Sequence, residues 1–297
     1  MNIGYIGLGE MGGPLARRLQ NSNPLLVHDL SKEALERMVA AGASAAESVT
    51  AVGSNCDLVF LCLPTSAHVR SVIFSPGGLA ESMAEGSLIV DQTSGDPRET
   101  RDLAEGLSGI GIELVDAPVS GGPKGAEAGT IAVMVGATEV QYARLMPILS
   151  SISANIFHAG PVGSGHTIKL VNNLISTATR LLTFEAMALA VKNGMDANRA
   201  HEILMASGGR NSFMERMFGP HILKGDLSAG YTLGLAHKDV RLACQLGSDS
   251  GVPLFLGNLT RELYQMYMNE LGGGAKVDMA ALIVDRMAGT KVVPTDQ

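Results

Sequence analysis

The first twelve residues, MNIGYIGLGEMG, constrain the possible folds more than any other stretch of the chain. Residues 2–6 form an apolar run, and a helical pattern begins at Met11. A Gly-x-Gly-x-x-Gly motif joins them, made of Gly7, Leu8, Gly9, Glu10, Met11 and Gly12. Between a strand and a helix, the three glycines permit a tight turn, a close approach of pyrophosphate to the backbone, and close packing of helix on strand. The motif therefore predicts a dinucleotide-binding loop, with the phosphates held at the start of the helix.

An acidic residue follows the next apolar run at a spacing typical of such loops. Residues 24–28 end at Asp29, 22 residues after Gly7, and about 20 residues separate the loop from an acid that binds the ribose 2′-hydroxyl. A carboxylate there repels a 2′-phosphate, and the nearest base is Lys32, so we expect NAD, with NADP the less favoured cofactor. The alternative is that Asp29 only forms a turn before Ser31, which can cap the next helix.

Apolar runs alternate with helical patterns through the first half of the chain. After the first two runs come residues 57–63, 87–90, 111–115 and 131–135. Continuous apolar strands separated by helices indicate a parallel sheet that is covered on both faces. We therefore predict an α/β protein whose N-terminal, Rossmann-type doubly wound NAD-binding domain spans residues 1–160.

The second half of the chain is predicted to be helical. Residues 166–193 contain no proline or glycine and are mostly apolar, which allows one helix of ~42 Å. Further helical patterns cover residues 197–207, 211–223, 235–251, 255–271 and 278–288. We predict an all-α substrate and oligomerisation domain over residues 161–297, opened by the long helix. The apolar character of that helix on all sides suggests burial by several neighbours, among them another subunit.

Composition and charge argue against several classes of protein. The 297-residue chain has a net charge of −7 and no polybasic run, so we expect no nucleic acid partner. No uninterrupted apolar run approaches ~20 residues, so we expect no membrane partner. The three cysteines form no C-x-x-C pair, and no cluster has metal-ligand spacing. We expect a cytoplasmic protein, or a mature form whose targeting segment is missing.

One lysine stands in the otherwise apolar stretch GSGHTIKLVNNL, residues 163–174. Lys169 falls in the first turns of the long helix, and Asn173, four residues later, shares its face. A buried lysine loses hydration, so its pKa is expected to fall, and the helix N-terminus acts in the same direction. Such a lysine can take a proton from an alcohol during hydride transfer and return it during reduction. The alternative is a lysine whose stem is buried while its ammonium reaches water.

A second polar stretch, DAPVSGGPKGAEAGT, follows a predicted strand at residues 116–130. Successive backbone N–H groups at Ser120, Gly121 and Gly122 can form a concave nest for an anion. The Ser120 hydroxyl adds a donor, and a carboxylate would suit this nest. The alternative is a glycine-rich loop that only turns the chain.

Four stretches together resemble the β-hydroxyacid dehydrogenase family: GYIGLGEMGGPLARRL, DAPVSGGPKGAEAGTIAVMVGA, GSGHTIKLVNNL and HKDVRLA. The resemblance covers essentially the whole chain. It implies an NAD(P)-dependent oxidoreductase that oxidises a small 3-hydroxy carboxylate, similar to 3-hydroxyisobutyrate, to its semialdehyde. It also implies a homodimer or homotetramer. Two alternatives remain: a tartronate or succinic semialdehyde-type reductase using NAD(P)H, and a non-catalytic dinucleotide-binding protein.

The resemblance also implies roles for single residues. Lys169 resembles the family's catalytic lysine, Asn173 its substrate-contacting amide, and Lys238 the lysine that reaches the nicotinamide end. The loop of Ser120, Gly121 and Gly122 resembles the carboxylate-binding loop. Beside the glycine motif, the implied cofactor-binding residues are Asp29, Leu63, Pro64, Ser94 and Lys238.

The chain departs from two branches of this family. Decarboxylating phosphogluconate enzymes carry a glutamate acid seven residues after the lysine, where this chain has Ser176, which disfavours decarboxylation. Imine-reducing relatives replace the lysine, which is kept here. For the far wall of the pocket, Phe213 and Met214 would suit a methyl-bearing substrate, whereas Arg210 and Asn211 would suit a second carboxylate or extra hydroxyls. The alternative is that Arg210 and Asn211 cap the next helix.

Overall fold

The computed structural model describes residues 1–294. The chain separates into two compact units that divide between Lys169 and Leu170. The division falls inside one long helix, so no loop or linker marks it in the sequence.

The N-terminal unit contains one nine-stranded sheet. Its strands are β1 Ile3–Ile6, β2 Leu25–His28, β3 Ser44–Ala45, β4 Leu58–Leu61, β5 Leu88–Asp91, β6 Glu113–Asp116, β7 Val119–Ser120, β8 Ala132–Gly136 and β9 Asn155–Gly160. The strand order is β3-β2-β1-β4-β5-β6-β8-β7, and β9 pairs with β8. From β3 to β6 every pairing is parallel, whereas β8 runs antiparallel to β6 and β7. The predicted α/β class and mainly parallel sheet are confirmed.

Helices cover both faces of this sheet. They are α1 Gly12–Gln20, α2 Lys32–Ala40, α3 Val49–Asn55, α4 Ser66–Phe74, α5 Leu79–Ser82, α6 Pro97–Ser108, α7 Gly122–Ala128 and α8 Glu139–Leu149. One core cluster joins Tyr5 and Phe60 to α1, and a second joins Ile6 and Val59 to α4. Because alternate residues of each strand point to opposite faces, β1 and β4 are buried on both sides. Their apolar runs are thereby explained.

Three strands were not predicted, each for a local reason. β3 and β7 contain two residues each, too few for a period-two pattern. In β9 exposed and partly buried residues alternate, as in a strand at the edge of a sheet, so it lacks the continuous apolar run of the central strands.

The C-terminal unit is helical. After the long helix α9, Ser164–Lys192, come α10 Ala197–Met205, α11 Leu233–Ser250, α12 Phe255–Leu271 and α13 Ala280–Ala288. The helix predicted over 211–223 is wrong: the structure has a π-helical turn at Met214–Phe218 and a 3₁₀ turn at Ile222–Lys224. Pro220 stands between them, and a proline disfavours the α conformation in the residue before it and removes a backbone donor.

Helix α9 has 29 residues and ends before Gly194, whose φ of +89° suits the left-handed position after a helix. It exposes Ile168, Ile175, Leu182 and Leu189. By length and composition alone α9 could cross a membrane, and 39% of its most apolar window is buried. The long core helix of a soluble protein meets the same criterion, so this is weak evidence. The expectation of no membrane partner stays a prediction.

Candidate active site

The glycine motif forms the loop between β1 and α1. Gly7 has φ +95°, and a Cβ there would lie 2.3 Å from the carbonyl oxygen of Cys62. A Cβ on Gly12 would lie 1.9 Å from the carbonyl oxygen of Gly7. At Gly9, by contrast, no atom of the described chain lies within 4 Å of such a Cβ. The outer glycines are therefore required by the protein's own packing, and the middle one faces open space that a pyrophosphate could approach.

Asp29, at the carboxyl end of β2, is bonded to this loop. Its Oδ2 accepts a hydrogen bond from the Leu8 N–H at 2.6 Å, and its Oδ1 accepts one from the Ser31 N–H at 2.7 Å. The carboxylate thus forms the turn before Ser31 and also lies against the dinucleotide loop. Each carboxylate oxygen has a second lone pair, so these bonds leave room for a ribose hydroxyl. The loop and Asp29 together fit a dinucleotide.

The loops after β4 and β5 are joined to each other. The Leu63 N–H donates to the Thr93 hydroxyl at 3.1 Å, and the Thr93 N–H donates to Asp91 Oδ1 at 2.9 Å. Leu63 and Ser94 are partly exposed and Pro64 is exposed. Since carboxyl ends of parallel strands share one edge of a sheet, these three predicted cofactor residues lie at the same edge as the glycine loop.

The predicted carboxylate loop follows β6 at the same edge. Ser120 pairs with Ala132 in β8, and the next two residues, Gly121 and Gly122, have φ values of +143° and +70°. Both glycines are exposed, and α7 begins at Gly122. Positive φ values at both positions are conformations that glycine adopts readily. The assignment of a carboxylate to this loop stays a prediction.

Lys169 lies in the second turn of α9 and is 8% exposed. A lysine whose ammonium reaches open water would expose more of its side chain, so the burial favours the acid–base interpretation over the solvated one. Helix spacing alone places Asn173 one turn further along the same face.

A buried polar cluster beside the start of α9 was missed from the sequence. It contains Asp91, Asp116, Thr100 and His166, of which none is more than 1% exposed. Burial raises the pKa of Asp91, while nearby His166 and hydrogen bonds from Thr93 act in the opposite direction. One signal could have indicated the two acids: each is the last residue of an apolar parallel strand, where site residues concentrate.

In the C-terminal unit one carboxylate contacts both residues implicated there. Asp239 is 6% exposed; its Oδ2 accepts a hydrogen bond from Asn173 Nδ2 at 2.6 Å, and its Oδ1 lies 3.1 Å from Lys238 Nζ. Asn172 Nδ2 donates to Asn173 Oδ1 at 3.0 Å. The Asn173 amide is therefore held from both ends, and Asp239 is a further candidate site residue that sequence reasoning did not single out.

The segment predicted to form the far wall of the pocket makes structural contacts within the C-terminal unit. Asn211 Oδ1 accepts a hydrogen bond from the Met214 N–H at 3.0 Å, so Asn211 caps the helical turn that begins at Ser212. Arg210 pairs with Glu215 at 3.0 Å on the surface. Phe213 and Met214 are buried in the core of this unit. Of the alternatives for Arg210 and Asn211, the structural one describes the observed contacts.

Comparisons with known proteins identify the family of the chain. A family model described as the NAD binding domain of 6-phosphogluconate dehydrogenase matches residues 2–160. A second, described as the NAD-binding of NADP-dependent 3-hydroxyisobutyrate dehydrogenase, matches residues 163–284. The chain belongs to the 3-hydroxyisobutyrate dehydrogenase family.

Relatives within this family act on different hydroxy acids. The chain is 37% identical to 2-(hydroxymethyl)glutarate dehydrogenase of Eubacterium barkeri, over 98% of this chain and 97% of the relative. It is 36% identical to an NAD-dependent L-serine dehydrogenase of Pseudomonas aeruginosa, over 90% and 92%. The structure of Mycobacterium tuberculosis 3-hydroxyisobutyrate dehydrogenase with L-serine superposes with a TM-score of 0.85, at 25% identity over 95% and 98%.

Family membership decides the class of reaction. The chain is an NAD(P)-dependent oxidoreductase that acts on the CH–OH group of a small hydroxy acid, which leaves the non-catalytic alternative without support. Among the described residues, no group of three or more His, Cys, Asp or Glu side chains could hold a metal. The cysteines Cys56, Cys62 and Cys244 are free thiols.

Proposed function

We propose that this enzyme oxidises a small 3-hydroxy carboxylate, similar to 3-hydroxyisobutyrate, to its semialdehyde with NAD, and that Lys169 is the general acid–base. The observation that carries the proposal is a lysine only 8% exposed, in the first turns of a helix whose N-terminus is bonded to the carboxyl edge of the sheet. The chemistry that a bound nicotinamide supplies is acceptance of a hydride from the carbinol carbon.

The residues of the chain would then share the remaining work. Lys169 Nζ takes the hydroxyl proton, so that a carbonyl forms as the C–H bond breaks, and in the reverse direction Nζ returns it. Ser120, Gly121 and Gly122 hold the carboxylate through N–H groups and one hydroxyl. Asn173, fixed by Asp239, orients the hydroxyl. The glycine loop holds the pyrophosphate, and Asp29 the ribose.

Substitution of Lys169 by alanine tests the mechanism. Loss of a positioned acid–base is expected to lower kcat by about 10²–10⁴-fold, while NADH still binds, because the glycine loop and Asp29 are untouched. The measurement is steady-state NAD reduction together with fluorescence titration of NADH. Lys291→Ala, at an exposed lysine, is the control. A Lys169→Ala enzyme with near-normal turnover would remove Lys169 from the mechanism.

A comparison of kcat/KM over a panel of hydroxy acids identifies the preferred substrate. The panel is 3-hydroxyisobutyrate, L-serine, 2-(hydroxymethyl)glutarate, D-glycerate and L-threonate, each with NAD and with NADP. We expect the highest kcat/KM for a monocarboxylate with NAD, because Arg210 is paired with Glu215 and Asp29 disfavours a 2′-phosphate. Equal efficiency with both cofactors would refute the role of Asp29. Efficient reduction of tartronate or succinic semialdehyde with NADPH alone would favour the reductase alternative.

The exposed side of α9 supports self-association as a dimer or tetramer. Ile168, Ile175, Leu182 and Leu189 are exposed by 43%, 62%, 65% and 67% and recur every seven residues, which keeps them close to one stripe of the helix. An apolar stripe of this length is costly in water. Light scattering coupled to gel filtration measures the mass; a monomer at micromolar concentration would contradict the proposal.

A further inference from the structure

The start of α9 is held by a carboxylate that is distant in sequence. Asp116, at the end of β6, is 0% exposed. Its Oδ1 accepts a hydrogen bond from the Gly163 N–H at 2.6 Å, and its Oδ2 accepts one from the His166 N–H at 2.7 Å. Both donors belong to the N–H groups at a helix start that lack partners within the helix. One side chain therefore fixes the helix start to the sheet edge.

The space around this carboxylate is built to its size. A Cβ on Gly136 would lie 2.3 Å from Asp116 Oδ1. A Cβ on Gly165 would lie 2.9 Å from Asp116 Oδ2 and 2.3 Å from the Met134 carbonyl oxygen. Glycine at both positions lets the first turn of α9 approach β6 and β8 this closely.

His166 makes the second attachment. It is 0% exposed; its Nε2 lies 2.7 Å from the Thr93 carbonyl oxygen, and its Nδ1 lies 2.7 Å from the Thr100 hydroxyl. A carbonyl only accepts, so Nε2 carries a proton and donates it. Thr93 also accepts from the Leu63 N–H. His166 therefore ties α9 to the loops after β4 and β5, which carry the predicted cofactor residues.

We propose that Asp116 and His166 are positioning residues for Lys169, an inference that rests on the proposed function. Lys169 follows His166 by three residues, so the two lie on neighbouring positions of the same helix face. Asp116 itself lies four residues before Ser120 of the carboxylate loop. Through these bonds the two side chains fix the start of α9, and with it Lys169, to the carboxyl edge of the sheet. A misplacement of about 1 Å can cost about 10²-fold in rate.

Substitutions at His166 separate positioning from general stability. His166→Leu removes both side-chain bonds and is expected to lower kcat by about 10²-fold, with KM for the acid and Kd for NADH within about threefold of the parent, since no binding residue changes. His166→Gln keeps an amide N–H that can reach the Thr93 carbonyl, and it should recover most of the loss. His158→Leu is the control: His158 also contacts a backbone carbonyl, that of Ala137, but it lies on β9 and its ring stacks on Tyr142 of α8.

A double-mutant cycle identifies the residue through which His166 acts. In an enzyme that already carries Lys169→Ala, His166→Leu should cause little further loss, because effects are non-additive when two residues act as a unit. Full additivity of the two losses would overturn the inference, as would unchanged kcat in His166→Leu. If Lys169→Ala itself is fully active, the proposed function fails instead, so the two failures are distinguishable.

Asp116→Asn provides the second line of evidence. One oxygen becomes an NH₂ group that cannot accept from the Gly163 or His166 N–H, so one of the two attachments is lost. We expect a fall in kcat with little change in KM, and again no further loss on the Lys169→Ala background. If His166→Leu does not fold, Asp116→Asn still decides: a parental kcat in Asp116→Asn overturns the proposal.

Discussion

Each compact unit of this enzyme buries carboxylates, but the two units stabilise them differently. In the N-terminal unit, Asp116 accepts hydrogen bonds from two backbone N–H groups, those of Gly163 and His166. In the C-terminal unit, Asp278, also 0% exposed, is paired with the guanidinium of Arg180. The backbone N–H groups that bind Asp116 are fixed in place by the fold. The two side chains of an ion pair, in contrast, can be substituted together without leaving a charge unpaired. The comparison suggests that Asp116 serves geometry and that Asp278 serves stability.

Arg180 is the centre of the second arrangement. Its guanidinium lies 4.5 Å from the centre of the Phe213 ring and 5.7 Å from that of Tyr231. Burial raises the pKa of Asp278, and the nearby Arg180 opposes this rise. The pair therefore compensates a carboxylate that would otherwise be costly to keep ionised in the interior.

The largest effect on stability is expected for Arg180→Met. Removing one partner of a buried pair leaves the other charge uncompensated, at a cost of about 3–5 kcal/mol in the free energy of unfolding. Urea denaturation followed by circular dichroism measures it. The folded pKa of Asp278 should rise further above its unfolded value, so the loss should be smaller near pH 5 than near pH 8.

The double variant Arg180→Met with Asp278→Asn is the matched control. Because it removes both charges, it should recover much of the lost stability, and its dependence on pH should be flatter. The folded Arg180→Met enzyme should keep more of the parental kcat than His166→Leu does. If kcat of the folded Arg180→Met enzyme fell as far as that of His166→Leu, the division between a structural pair and a positioning pair would be contradicted.

The part of the fold that depends on local pattern could be predicted from the sequence. The limits of α12 were predicted at both ends, and α9 was predicted to within two residues, because each is a long pattern bounded by glycine or proline. The helix predicted over 211–223 failed because the Asn211 side chain caps a turn three residues later and Pro220 interrupts the pattern.

The candidate site divides in the same way. The glycine loop, Asp29 and Lys169 lie within recognisable motifs, so their places could be predicted. His166 could not, because its partners Thr93 and Thr100 lie 73 and 66 residues away in the chain and meet it only after the parallel strands have aligned. Asp239 contacts Asn173 across 66 residues for the same reason. Local sequence patterns therefore predict the candidate catalytic and binding residues. The residues that hold those side chains in place are identified only in the tertiary structure.

An effect of intermediate size is expected at Asp239, because its carboxylate contacts both the Asn173 amide and the Lys238 ammonium. Asp239→Asn keeps the shape but weakens both contacts, and a hydrogen bond to a charged group contributes about 1.5–3 kcal/mol. We therefore expect kcat/KM for the acid to fall by at least about tenfold, which corresponds to about 1.4 kcal/mol. Steady-state kinetics measures this, with Asp249→Asn, on an exposed side of α11, as the control. An unchanged kcat/KM would show that Asn173 needs no such support.

The smallest effect is expected at a partly exposed carboxylate of the C-terminal unit, that of Asp226. The pKa of Asp226 is lowered from its ordinary 3.8 to about 2, first by the Ser228 hydroxyl and then by His221. The folded pKa lies below the unfolded one, so this contribution to stability is present above about pH 4 and is lost as the pH falls towards 2. Thermal unfolding of Asp226→Asn should therefore match the parent at pH 2 and lie slightly below it at pH 6. If the difference in unfolding temperature persisted at pH 2, the effect would come from packing and not from charge. The charge of the carboxylate would then not explain the contrast between the buried carboxylates and the partly exposed Asp226.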